Sequence, residues 1–524
     1  VKSAEDRIVE LAEQFAMPVD PRAKVWQLSV GEQQRVEILK VLYRDAWVLI
    51  MDEPTAVLTP PEAESLVTTL RSMARQGRSV IFISHKLGEV ASIADRITVL
   101  RDGKSVATVE AAGSSRESLA ELMVGREVTS VIRQGGGALP GAATVLSVDS
   151  LSALGDRGRP ALTDVSLQVK AGEILGIAGV AGNGQRELVE VLAGLRPRTR
   201  GSIDIDGEAM ERTDARYPIR MGVAYVPQDR LGTGLAPDLS IAENLILKRY
   251  RRPPISRAPF LRPSVIASEA DRLMTQFDVR APSADTPTRR LSGGNVQKVL
   301  LAREMSGAPK VLVVSSPTQG LDVGAVATVH QLLLDAAAKG VGVLLVSEDL
   351  DEVMALSDRI AVMYLGKIVE LAPAEELYAN PSHPYTKALL SANPRIDQSA
   401  QSTRQILTGD IPSPLNRPSG CSFHTRCPIA VPECSTREPE LRRIGAVDVL
   451  ICCLTTLMTN RDHILTHPLS QSLIEHKIHP LELILQSLRL HMIHIINDPT
   501  LQMIHLVVAV VLHPCPGLFT AHST

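Results

Sequence analysis

An α/β fold, built twice along one chain, is what the sequence predicts, and three observations predict it. Short apolar runs of strand length alternate with longer amphipathic stretches. One ordered set of motifs occurs twice, about 260 residues apart. The composition, 44% hydrophobic and 22% charged over 524 residues, suits a globular chain with more than one core.

The first copy holds Leu28-Ser29-Val30-Gly31-Glu32-Gln33-Gln34, then the apolar run Val48-Leu49-Ile50-Met51 closing on Asp52-Glu53-Pro54, then a second apolar run at residues 80–83 before Ser84-His85. Ser29 and Gly31 open a helix, where unpaired N–H groups and the helix dipole favour a phosphate. Adjacent carboxylates ending a strand suit Mg²⁺ chemistry: Asp52 serves the metal shell, and Glu53, facing the other way, orients an attacking water. A structural reading also exists, because Ser29-x-x-Glu32 is a capping box and Asp52 can cap a turn. The order of all three pieces favours the chemical reading. On these residues the chain resembles the ATP-binding cassette ATPases. The resemblance implies ATP and Mg²⁺ as ligands, assigns residues 28–34 to the family signature, Asp52 and Glu53 to Walker B and the catalytic base, and His85 to the switch histidine at the γ-phosphate.

The second copy repeats the order as Leu291-Ser292-Gly293-Gly294-Asn295, the run ending Ser315-Ser316-Pro317, and Ser347-Glu348. It also has a front end: a buried strand over residues 172–178, the glycine loop Gly179-Val180-Ala181-Gly182-Asn183-Gly184-Gln185-Arg186, and a helical run at 187–195. Strand, glycine loop and helix form a phosphate cradle, with Gly179, Gly182, Asn183, Gly184 and Gln185 as candidate nucleotide contacts. Gln228 lies in a Q-loop-like segment, Tyr225-Val226-Pro227-Gln228. Yet Gln185-Arg186 stands where such a loop carries lysine and a hydroxyl, and serines replace both carboxylates. Serine has no useful basicity near neutral pH, so this copy is expected to bind ATP without turning it over.

Head-to-tail pairing of two cassettes, implied by the resemblance, places Ser292, Gly293, Gly294 and Asp322 on the nucleotide hydrolysed by Glu53, and Ser29 and Gly31 on the degenerate loop. Further likeness is to the duplicated ATPases of sugar and nucleoside importers, through Pro317-Thr318-x-Gly320-Leu321-Asp322-Val323-Gly324-Ala325 and the Gly182-Asn183-Gly184-Gln185 form of the loop. The family fold is P-loop NTPase-like: a mixed-sheet core plus a helical subdomain. Its partners are transmembrane permease subunits and a solute-binding protein, and its place is cytoplasmic, peripheral on the inner face of the cell membrane. By this resemblance the first cassette is amino-terminally truncated, the second is complete but degenerate, the chain lacks any Gly-Lys-Ser/Thr phosphate loop, and alone it hydrolyses ATP at background rate.

Composition divides the chain into residues 1–133 (the rest of a first cassette), a Gly/Pro linker at 134–141, and a second cassette at 142–370. Residues 371–453, with Asn380-Pro381-Ser382-His383-Pro384-Tyr385-Thr386 and Arg426-Cys427-Pro428, resemble the carboxy-terminal extension of oligopeptide and dipeptide importer ATPases. That makes peptide import the alternative function within the class. The resemblance implies a four-iron four-sulfur cluster on Cys421, Cys427, Cys434 and Cys452; zinc, reduced thiols and disulfides are the other readings of these cysteines. Residues 454–524 hold nine of thirteen histidines without a repeated ligand spacing and resemble nothing nameable. A net charge of −3 and 3% aromatics offer neither a broad basic field nor a stacking surface for nucleic acid, so none is expected as partner. No apolar run reaches about 18 residues, so attachment to a membrane is expected through partners. A non-transport ATPase of the same family and an inert fused product remain as further readings.

Overall fold

A computed structural model describes residues 2–15, 17, 19–25, 30–55, 58, 60–84, 86–101, 103–125, 133, 141–257, 259–391, 417–444 and 447–450. Ser29, His85, Cys452, residues 134–140 of the linker and the tail at 454–524 lie outside the described residues.

In the first copy, helices Lys2–Gln14, Val30–Tyr43 and Pro60–Arg75 cover one face of two parallel strands, Val48–Asp52 and Ser79–Ile83. Strand alternation decides which side chains they meet: Leu49 and Met51 are buried with Leu11, Ile38, Leu42, Leu70 and Met73. Val48, Ile50, Ile81 and Ile83 point the other way and are 54%, 67%, 51% and 47% exposed. Next come the short helix Leu87–Ile93 and a separate hairpin, Arg96–Arg101 with Lys104–Glu110. The helix Arg116–Val124 ends this copy, capped by the Ser115 hydroxyl, which accepts from the Ser118 N–H, and closed by Gly125 at φ 78°.

The second copy has one large sheet in the order Val223–Val226, Val311–Ser315, Gly342–Val346, Ile174–Ala178, Arg359–Tyr364, Lys367–Pro373, the first five parallel and the last antiparallel. Its central strands are buried at every position, and almost wholly apolar, because both faces are covered. One face packs on an antiparallel sheet built from Thr144–Leu154, Pro160–Lys170 and Arg198–Ile205, together with the helix Gln185–Leu192. The other meets Gly293–Met305, Val323–Ala338 and the small helical subdomain that contains Ile241–Ile246 and Pro263–Gln276.

Ile174–Ala178 pairs with both Gly342–Val346 and Arg359–Tyr364, joining two halves of that sheet. The matching strands of the first copy, Ser79–Ile83 and Arg96–Arg101, belong to two separate two-stranded sheets among the described residues. Among the described residues a mixed-sheet core is therefore found in the second copy alone. Two boundaries also shift. Arg133, assigned by composition to the first unit, docks on the second: its N–H donates to the Ala355 carbonyl at 2.9 Å and its guanidinium pairs with Asp358 at 2.6 Å, where burial pushes the Asp358 carboxyl up to about 6. The division at 370–371 falls inside the strand Lys367–Pro373, and the hairpin Leu441–Ile444 with Val447–Leu450 joins the same sheet through Glu370 and Leu371. The extension is thus stitched into the second copy by backbone hydrogen bonds.

Candidate functional site

Gly179 to Gly184 turn sharply between the buried strand Ile174–Ala178 and the helix Gln185–Leu192. Gly184 sits at φ 100°, and a Cβ there would lie 2.9 Å from the Ala161 carbonyl oxygen, so no other residue fits. Gly182, at φ 85°, faces open space with no atom within 4 Å of a built Cβ. That opening, beside the first turn of the helix, fits a phosphate.

The two residues that replace lysine and hydroxyl are turned away from the opening. Gln185 is buried and donates to the Val180 carbonyl at 3.2 Å, within its own loop. Arg186 donates to Glu190 at 2.8 Å and reaches Asp156 at 3.3 Å, and the Glu190 carboxylate raises its pKa. Neither side chain places a cation where the lysine would stand. Ser315 and Ser316 are buried and offer no carboxylate for Mg²⁺, so the residues of this copy do not fit a metal-dependent hydrolytic site.

The first copy keeps the acids in the same geometry. Glu53 has φ 46°, and its N–H donates to the Ile83 carbonyl at 2.9 Å; Ser316 has φ 42° and donates to the Val346 carbonyl at 2.7 Å. A left-handed backbone at a non-glycine residue costs energy and is held only where neighbours over-determine it, as at strand ends bearing function. Asp52 ends the strand in an exposed position and Glu53 is half-buried, a pair fit for Mg²⁺ and a water. Past the next strand, the Ser84 hydroxyl accepts from the Lys86 N–H at 3.1 Å and the Ser347 hydroxyl from the Asp349 N–H at 3.1 Å. That hydrogen bond is therefore repeated in both copies, and in the second Glu348 is exposed between its ends.

Gly31 lies in the first turn of Val30–Tyr43. In the second signature, Ser292 opens Gly293–Met305, and its hydroxyl accepts from the Asn295 side chain at 3.0 Å and caps no backbone N–H. The helix start at Gly293 and Gly294 keeps its donors for a ligand. Asp322 caps Val323–Ala338 by accepting from the Ala325 N–H at 2.9 Å. Gln228 donates to Gln319 at 2.7 Å, tying the Q-loop to the segment before Asp322.

Several contacts around the site were not announced by the motifs. Thr318 donates to buried Glu352 at 2.7 Å, and Thr55 bonds Glu89 in the first copy; both pairs are 34 residues apart, and that repeated spacing was the available signal. Arg230 bridges Gln297, at 2.8 Å, and the Gln319 carbonyl. Tyr385 of the extension reaches the back of the glycine loop: its hydroxyl accepts from the Val180 N–H at 3.2 Å and from the Asn183 amide at 3.4 Å. Asn183 in turn accepts from the Leu365 N–H at 2.8 Å, so it braces the loop from behind. No pattern within either segment announced that contact.

One expectation is corrected. The tripeptide Gly103-Lys104-Ser105 does occur, but Gly103, at φ 73°, turns the hairpin between Arg96–Arg101 and Lys104–Glu110, so it cradles nothing. Of the predicted cysteine ligands, Cys421 and Cys434 are buried and Cys427 is half-buried; among the described residues no group of three or more His, Cys, Asp or Glu side chains converges to hold a metal, and Cys452 lies outside those residues.

The sequence pattern of the ABC transporter family matches residues 3–56 and 162–319. The nucleoside import ATP-binding protein NupA of Lactococcus lactis is 44% identical over 375 residues, covering 72% of this chain and 74% of that protein. The chain belongs to the ABC transporter family. It is an ABC-type ATPase by the same relationship. Also similar to this family member are the glucose import ATP-binding protein TsgD13 of Haloferax volcanii, 48% identical over 70% of this chain and 66% of that protein, and the ribose import ATP-binding protein RbsA 1 of Rubrobacter xylanophilus, 40% identical over 70% and 72%. The chain thus spans about two thirds of the length of the first of these relatives. Residues 369–434 match the oligopeptide/dipeptide transporter C-terminal region. A solved nucleotide-free ATP-binding cassette from an ABC transporter aligns at 21% identity with a TM-score of 0.41, over 47% of this chain and 98% of that one. Among the described residues no helix is long and apolar enough to cross a membrane.

Proposed function

We propose that the chain is the ATP-binding subunit of an importer for a sugar or nucleoside, working with membrane permease subunits and a solute-binding protein from the inner face of the membrane. The relatives' names support the solute class. One observation carries the division of labour: the two strand ends share a backbone geometry, but Glu53 stands in one and Ser316 in the other. Glu53 accepts the proton of the attacking water, with Asp52 beside it and Ser292 to Gly294 closing from the opposite copy. Mg²⁺, when bound at Asp52, neutralises charge on the phosphate oxygens. The second copy holds its nucleotide by backbone donors of residues 179–184 and does not turn it over. Import of oligopeptides is the second reading, favoured by the match at residues 369–434.

The test is steady-state phosphate release from three proteins: the chain itself, the chain preceded by a lysine-bearing half-cassette from a similar importer ATPase, and the latter with Glu53→Gln. Background turnover is expected from the first and recovery in the second. Loss on the order of a hundredfold is expected in the third, the scale of a positioned base. Strong hydrolysis by the chain itself, indifferent to Glu53→Gln, sinks the assignment.

A further inference from the structure

The helical subdomain of the second copy carries a feature that nucleotide chemistry does not use. Residues 248–262 contain six cations, Lys248, Arg249, Arg251, Arg252, Arg257 and Arg262, and no acid. Two are engaged below the surface, Lys248 with Glu304 and Arg249 with Glu269, and the Arg251 guanidinium lies 5.2 Å from the Tyr250 ring centroid. Arg252, Arg257 and Arg262 are exposed, and among the described residues no carboxylate pairs with them. They surround a hairpin in which Ser256 pairs with Leu261 and Arg257 with Phe260. Directly paired residues share a face, so Arg257 and Phe260 lie on one face of the hairpin. Buried Ile255, whose carbonyl accepts from the Arg262 N–H at 3.0 Å, anchors the base. At the tip Phe260 is 75% exposed and Leu261 49%.

What sets this tip apart is that two adjacent exposed apolar side chains, Phe260 and Leu261, adjoin three exposed arginines. Cations flanking an exposed ring match an anionic lipid surface, where headgroup phosphates meet the guanidinium groups and the ring enters the interface. We propose that residues 250–257 and 259–262 dock the protein on anionic lipid headgroups, with Phe260 inserted and Arg252, Arg257 and Arg262 on the phosphates. This rests on the reading that the chain works against a membrane.

The test sediments the full chain with phosphatidylcholine vesicles, with and without phosphatidylglycerol, at low and high salt. Binding is expected with phosphatidylglycerol alone, and to fall with salt as exposed charges are screened. Combined Arg252→Gln, Arg257→Gln and Arg262→Gln should weaken it on the order of a hundredfold, and Phe260→Ser roughly tenfold, with thermal midpoints unchanged because all four positions are exposed. Equal binding to neutral vesicles, or undiminished binding by the triple variant, overturns the proposal; so does salt-sensitive capture of an acidic peptide or an RNA oligonucleotide with none of vesicles. Phosphate release from the chain with its added half-cassette is read in parallel. Absence of binding to phosphatidylglycerol vesicles by the unsubstituted chain, with hydrolysis intact, refutes this docking face and leaves the ATPase assignment standing.

Discussion

The two copies agree at the strand ends and differ in the middle of the sheet. Glu53 and Ser316 share a left-handed backbone and the same hydrogen bond to the neighbouring strand, and Thr55–Glu89 matches Thr318–Glu352. Yet Ile50 and Ile81 are exposed, while their counterparts Val313 and Leu344 are wholly buried. The catalytic corner needs only two adjacent parallel strands and the turn after each. The apolar face behind it needs the sheet and helix that residues 144–205 supply to the second copy alone among the described residues.

Removing side chains at matched positions should expose that asymmetry most. Leu344→Ala is expected to destabilise the second copy by about 2–5 kcal/mol, whereas Ile81→Ala should stay within about 0.5 kcal/mol. Urea midpoints of the two single variants make the comparison, and equal losses would mean that the first copy's open face is covered in solution. A smaller difference is expected at the paired threonines. Thr318→Val leaves buried Glu352 short of a donor and should cost about 1–3 kcal/mol, while Thr55→Val, beside the more exposed Glu89, should cost less. A larger cost at Thr55 would reverse the reading of which corner is the more tightly held.

A pH effect should belong to the extension stitched into the second copy. Burial pushes His383 down to about 3, below its ordinary value near 6.5. Below about 6.5 the unfolded chain takes up this proton and the folded one does not, so stability falls toward about pH 3 by roughly 1.4 kcal/mol per unit. The same titration of a His383→Gln variant should lack that component, and identical pH slopes would show that His383 is protonated in the fold. Least in size is the binding effect. ATP should raise the thermal midpoint of the chain modestly through the glycine loop, and Gly182→Asp, which aims a carboxylate into the open cradle, should abolish the shift. An unchanged shift would put the nucleotide elsewhere.

Most of the second copy was legible in the sequence. The strand at residues 172–178, the glycine loop and the helix start at Ser292 follow from local rules: an apolar run, glycines where φ is positive, and a serine before a helix. The damage at Gln185 and Arg186 was equally plain. Where those side chains point was not, because Arg186 is drawn off by Asp156, about thirty residues away, and Gln185 by its own loop carbonyl.

What the sequence by itself determined is the duplicated α/β plan, the order of the motifs and the survival of carboxylates in one copy only, since each is written in residue type and short spacing. Tertiary structure decided the rest. It seated Tyr385 behind Asn183, 202 residues away, and wove the extension's hairpin into the sheet at Glu370 and Leu371. It also left Val48 and Ile50 bare. Such outcomes depend on which distant segments compete for a given face or hydrogen bond, and that competition is settled by packing rather than by any local pattern.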